Sequence, residues 1–209
     1  MGSILVFLEQ RNGALKKSSL EVLARARQIG EEKGREVSAL VVGSGAQDLA
    51  GKLGPWGAQK VHVLDDASFD LYTPQALARL VARVMDETDA ELTLMASSAL
   101  GRDLAPRVAA AKDLPLLTEA LEVHWTGEDR LQIRKSMYGG KIFGTLASNS
   151  GPPFMATVKP GAHPVSEEPH AGAAAETVEL SAAGETDGVG AKGVELIQAE
   201  GETVDLQEA

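Results

Sequence analysis

Chemistry in this chain would have to come from histidines, carboxylates, serines or glycine-bracketed backbone, because its 209 residues include no cysteine. Disulfides, thiolate nucleophiles and cysteine-bound zinc or iron–sulfur centres are thereby excluded. The four histidines are His62, His124, His163 and His170, two in strand-like and two in proline-flanked contexts. No pair stands at i,i+4 and none has a carboxylate at ligand spacing, so structural or solvent-facing roles are expected rather than zinc binding. The adjacent Asp65 and Asp66 would supply two carboxylates for a metal or for acid–base work. Neighbours at a strand end point apart, however, and a solvated turn is the expected reading. No G-x-S-x-G elbow marks a nucleophilic serine, so a serine-dependent hydrolase is not expected.

Phosphate binding is the remaining candidate chemistry. Ser97 and Ser98 precede a helical pattern beginning near Gly101, and a helix N-terminus offers unpaired N–H groups to an anion. Arg102 would add charge there. The alternative is that Ser98 is a plain cap, with Arg102 and Asp103 paired to each other or to another chain. Gly43-Ser44-Gly45 follows a second strand-like run. Neither a G-x-G-x-x-G nor a G-x-x-x-x-G-K-[ST] pattern is present, so that glycine turn carries little on its own.

The elements that would position these groups alternate strand and helix. Residues 3–8 form a continuous apolar run, as a strand buried on both faces requires. Leu20, Val22, Leu23, Ala24, Ala26 and Ile29 recur at helical spacing, closed by Gly30 and Gly34. Strands are expected over 36–42, 60–64 and 91–96, and helices over 46–53, 74–86 and 102–111. This rhythm predicts an α/β fold: a doubly wound, mostly parallel sheet, Rossmann-like, in a three-layer sandwich. With strand order 3-2-1-4, a ligand crevice would open between residues 9–13 and 97–103. After Pro115 four strand-like runs, 120–125, 131–135, 141–148 and 155–159, follow without helices, with glycine turns at Gly127, Gly139-Gly140 and Gly151. They are expected to extend the far edge of the same sheet as antiparallel strands. Trp56 and Trp125 read as core or interface residues.

Charge divides the chain in two. Residues 1–163 carry 19 basic and 19 acidic residues, whereas residues 164–209 carry 1 and 11. The whole net charge of −10 therefore sits in an acidic C-terminal extension. A neutral body without a basic stripe, followed by an anionic tail, argues against nucleic acid as a partner. Two runs in the tail, 176–180 and 193–197, resemble isolated strands that need the body or another chain to pair with. The apolar start, 4–8, is too short for a signal segment or a membrane span. Cytoplasmic localisation without membrane insertion is the expectation.

Four blocks carry a resemblance to a known family: G-A-Q-K-V at 57–61, A-L-G-R-D-L-A-P-R-V-A-A at 99–110, R-K-S-M-Y-G-G-K at 134–141 and M-A-T-V-K-P-G at 155–161. In this order they closely resemble the N-terminal region of the electron transfer flavoprotein alpha subunit. The likeness runs through essentially the whole chain, and Val204 to Ala209 fits it too. It implies a heterodimer with a beta subunit that carries FAD, accepts electrons from acyl-CoA or other flavin dehydrogenases and passes them to a quinone oxidoreductase. Such a protein is a carrier rather than an enzyme.

In that family the FAD belongs mainly to a second alpha domain, opened by a strand and a V-S-G-G-R-G-like loop. The sequence stops at Ala209, where that strand would begin, so no FAD contact is assigned to any residue here. The resemblance divides the chain into an N-terminal domain, 1–163, and an acidic connector, 164–209. It makes Arg102, Asp103, Arg134, Tyr138, Gly139, Gly140 and Lys141 candidates for structure or subunit contact, with Gly139-Gly140 forming a positive-φ turn. The rival reading is a free-standing module holding AMP or ATP in the crevice between 10–13 and 97–103.

Overall fold

In a computed structural model the described residues are 2–127, 130–165, 173–191, 193–195 and 197. The chain opens with β1 (Ser3–Leu8), a small hairpin of β2 (Gln10–Arg11) and β3 (Ala14–Leu15), and helix α1 (Lys17–Lys33). Then come β4 (Glu36–Val42), α2 (Ala46–Ala50), β5 (Lys60–Leu64), α3 (Pro74–Glu87), β6 (Ala90–Ala96) and α4 (Ala99–Lys112). The remaining elements are strands: β7 (Leu116–Ala120), β8 (Glu122–Thr126), β9 (Arg130–Met137), β10 (Ile142–Ala147), β11 (Phe154–Val158) and β12 (Glu176–Glu179).

Seven strands form one sheet in the order β12-β5-β4-β1-β6-β11-β7. Every pairing in it is parallel. The expected α/β architecture and the 3-2-1-4 order of its first four strands are therefore present. All six residues of β1 are buried, which is why that segment reads as an unbroken apolar run instead of alternating. One face of the sheet packs Ile4, Val6 and Leu8 against Val22, Leu23, Ala26 and Ile29 of α1. The other packs Leu5, Phe7 and Met95 against Leu80, Val84 and Met85 of α3 and Leu104 and Val108 of α4. Helix α1 runs through Gly30 and stops at Gly34, whose φ of 63° lets its N–H reach the Gly30 carbonyl.

The late strands are arranged differently from the sequence expectation. The antiparallel runs do not extend the main sheet; β10-β9-β8 form a separate three-stranded sheet. The main sheet instead receives β11 beside β6 and then β7 as an edge, both parallel. The run read as a single strand over 120–125 is two strands belonging to different sheets, divided at Leu121. Glu119 takes a φ of 58° next to this switch, and the β7–β11 register shifts there. Trp125 of the small sheet meets Phe154 of the large one edge-on, with centroids 5.5 Å apart, which joins the two layers.

Of the two strand-like runs in the tail, the first is β12, which adds to the β5 edge. In the second, 193–197, the described positions carry no strand. His170 and the run from Val204 to Ala209 lie outside the described residues. Among the described residues, no helix is long and apolar enough to cross a membrane.

Candidate functional site

The crevice expected of a doubly wound sheet lies at the carboxyl ends of β1 and β6, where the α4 N-terminus arrives. Ser98 caps that helix, its Oγ accepting the Gly101 N–H at 2.9 Å. Glu9, directly after β1, enters the same place and is only 4% exposed. Its carboxylate accepts a short hydrogen bond from the Ser98 hydroxyl, and Lys16 Nζ stands 3.8 Å from its second oxygen. Burial pushes the Glu9 carboxyl above its usual range, with the Ser98 bond and the Lys16 charge acting against that rise.

The neighbouring turns are filled in the same way. Gln10 donates to the carbonyls of Val42 (3.0 Å) and Ser44 (3.3 Å) and accepts the Gly13 N–H at 3.0 Å. In the Gly43-Ser44-Gly45 turn, Asp70 accepts the Ser44 N–H at 2.6 Å and the Ser44 hydroxyl at 2.7 Å. Asp65 accepts the N–H groups of Gly45 (3.2 Å) and Gln47 (3.1 Å). Asp66 caps a short turn by accepting the Ser68 N–H, so the adjacent aspartates do separate tasks. The N–H groups of Ser44, Gly45 and Gln47 are therefore bound by the chain's own carboxylates, and that of Gly101 by the Ser98 hydroxyl. Glu9 further places negative charge where the α4 dipole would otherwise draw an anion. This arrangement opposes the reading of a free-standing AMP or ATP module.

Arg102 and Asp103 sit in the first two turns of α4 but are not paired with each other. Asp103 accepts the Tyr72 hydroxyl at 2.7 Å and two bonds of 3.0 Å from Arg107. The Arg107 guanidinium and the Tyr72 hydroxyl hold its carboxyl below the usual carboxylate range. Burial and the neighbouring Asp103 in turn push the Tyr72 phenol well up. Arg102 is exposed, with its Nε 3.4 Å from the Ser98 carbonyl.

The other five candidates come together at the β9–β10 hairpin. Tyr138, Gly139 and Gly140 take φ values of 53°, 67° and 85°, and the Gly140 N–H returns to the Met137 carbonyl at 3.2 Å. Three successive left-handed residues explain the glycine pair on conformational grounds, and Tyr138 accepts strain to stand beside it. Tyr138 is 76% exposed. Lys141 is exposed as well. Arg134 on β9 bonds Glu122 at 3.0 Å, and its guanidinium lies 4.8 Å from the centre of the Phe143 ring. Arg134 first, and His124 second, hold the Glu122 carboxyl below its usual range.

Strand β10 supplies the residues that sequence reasoning missed. Ile142, Phe143 and Leu146 are 51%, 53% and 40% exposed. Ile142 and Phe143 are adjacent in a strand and so project from opposite faces, each about half exposed, with Arg134 against the Phe143 ring. Behind the turn, a cleft of about 530 Å³ lies between the hairpin and the ends of β7 and β11. Its walls include Glu119, Lys135, Tyr138, Gly139, Gly140 and Lys159, with Lys135 and Glu119 3.7 Å apart. Arg102 and Asp103 do not line it.

Among the described residues, no cluster of three or more His, Asp or Glu side chains is arranged to hold a metal ion. His62 is buried on β5, His124 is exposed beside Glu122, and His163 is half-buried.

Comparison with known proteins agrees with the four sequence blocks. Residues 4–184 match the family model described as "Electron transfer flavoprotein domain". The "Electron transfer flavoprotein subunit alpha" of Thermoanaerobacterium thermosaccharolyticum is 31% identical over 158 residues, covering 76% of this chain and 48% of the relative. "Protein FixB" of Clostridium saccharobutylicum is 31% identical over 208 residues, covering 99% of this chain and 61% of its own length. The "Electron transfer flavoprotein subunit alpha" of Megasphaera elsdenii is 31% identical over 209 residues, with the same two coverages. The chain thus spans between about half and three fifths of the length of these curated relatives.

Proposed function

The chain belongs to the electron transfer flavoprotein family, with alpha subunits among its relatives, and from that premise we propose that it is the N-terminal scaffold of an alpha subunit whose β9–β10 hairpin docks a beta subunit. The observation that carries this reading is the group of exposed side chains Tyr138, Ile142, Phe143 and Leu146 on the two faces of the hairpin, with Arg134 beside Phe143. Aromatic, aliphatic and arginine side chains grouped on a protruding hairpin are the composition of an interface centre. The left-handed turn holds Tyr138 outward, and the Glu122 pair orients Arg134 over Phe143, so the hairpin is preorganised.

The described residues do not fit FAD as a ligand of this chain. A flavin dinucleotide needs N–H donors for its pyrophosphate, and those of Ser44, Gly45 and Gln47 are bound to Asp70 and Asp65 while the Glu9 carboxylate stands at the α4 end. FAD belongs in this reading to the complete alpha–beta heterodimer, which carries electrons from acyl-CoA or other flavin dehydrogenases to a quinone oxidoreductase. The compartment is the cytoplasm, with no nucleic acid and no membrane insertion.

Co-purification with the beta subunit tests the reading. Arg134→Ala and Tyr138→Ala should each weaken the association, and undiminished recovery of the beta subunit with both variants would sink it.

A further inference from the structure

Residues 173–190 hold four of the eleven acidic residues of the C-terminal extension, and they are fastened to the body at four places. Glu176–Glu179 pair with β5, placing Val178 beside the buried His62. Ala175 packs against the core on one face of the sheet and Leu180 against the core on the other. Glu185 is only 5% exposed and lies 2.7 Å from Arg83 of α3. Arg83 also donates to the Ser181 carbonyl at 3.0 Å, while Arg79 donates to the carbonyls of Glu185 (3.2 Å) and Asp187 (2.7 Å). Beyond them the Gly190 N–H reaches Gln75 at 2.6 Å.

Glu185 is the centre of this fastening. Burial alone would raise its carboxyl, but hydrogen bonds from backbone N–H groups and from Arg83 hold it below its usual range. At the other end the fit is steric: a Cβ on Gly54 would stand 2.0 Å from the Ala173 carbonyl oxygen. Only glycine lets the segment lie this close.

We propose that residues 173–190 form a clasp, latched by Glu185 on Arg83 and Arg79, that opens and closes as a unit on the β5 edge. The body of the protein then extends to about residue 190, and the connector proper begins there rather than at 164. The clasp moves the point of departure of the later chain across the sheet. Strands β11 and β12 are separated by five neighbour spacings, roughly 24 Å at about 4.8 Å each. Closed, it launches the following segment from the α3 side; open, from the β11 side, with the β5 edge bare. The consequence for a following flavin domain rests on the function proposed above, whereas the clasp itself does not.

Proteolysis of the full chain at Glu176 and Glu179 reads the open state without flavin or partner. Glu185→Gln removes the latch charge with little change in shape, and Gly54→Ala pushes at the opposite end. Each is expected to speed cleavage there at least tenfold, while amide exchange in β1, residues 4–8, stays unchanged. Cleavage at the parent rate in both variants would overturn the clasp. So would an equal acceleration of β1 exchange, which would mean that the segment opens only with the whole fold.

Discussion

The carboxylate of Glu9 and the hydroxyl of Ser98 are hydrogen-bonded in the crevice at the centre of the sheet, where folds of this architecture receive their ligands. Ser98 simultaneously caps α4. One buried contact thus closes the helix end and places a negative charge at the position that a phosphate would occupy.

That contact predicts how stability follows pH. The folded-state pKa of Glu9 is raised, so the folded chain holds this proton more tightly than the unfolded one. Its ionisation therefore costs stability above the folded pKa, and the cost disappears as the pH falls towards 4.5. Glu9→Gln should melt higher than the parent at pH 8, with a margin that narrows on acidification. A variant that melts lower at pH 8 would contradict the assignment.

The same crevice predicts indifference to nucleotides. A ligand at a hundred times its dissociation constant stabilises by about 2.7 kcal/mol, a shift of several degrees for a domain of this size. Millimolar AMP or ATP should leave the melting temperature of the isolated chain unchanged. A saturable rise would revive the nucleotide-module reading.

His62 works in the opposite direction from Glu9. It is buried with both ring nitrogens lacking a hydrogen-bond partner among the described residues. Burial, above all, depresses its pKa, against the pull of Glu87. The unfolded chain takes up this proton first, so stability present above pH 6.5 is lost as the pH falls towards the folded value. His62→Leu should flatten the decline in melting temperature below pH 6.5. An unaltered slope would show that other groups govern it.

The join between the two sheets is the next point of test. Phe154 is 1% exposed and meets Trp125 edge-on. Phe154→Ala should cost about 3–5 kcal/mol in chemical denaturation. A loss below about 1 kcal/mol would mean that the layers do not depend on this contact.

The central sheet was legible because strands buried on both faces write themselves as apolar runs, as residues 3–8 do, and helices such as α3 show their 3.6-residue stripe. The parting of β7 from β8 was not legible, since a single residue, Leu121, separates strands of two sheets and no turn residue marks it. Partner choice was equally hidden in the Arg102-Asp103 pair. Asp103 turns instead to Tyr72, 31 positions away, a contact that sequence spacing does not encode. The hairpin candidates were found through the family blocks, but the apolar residues beside them were not, because exposure is a property of the folded surface.

Affinity for the beta subunit tests the central claim most directly. The parent chain should form a one-to-one complex, and Tyr138→Ala combined with Phe143→Ser should raise its dissociation constant at least tenfold, the equivalent of about 1.4 kcal/mol, with the melting temperature of the free chain unchanged. An identical dissociation constant for the parent and the double variant would contradict the account.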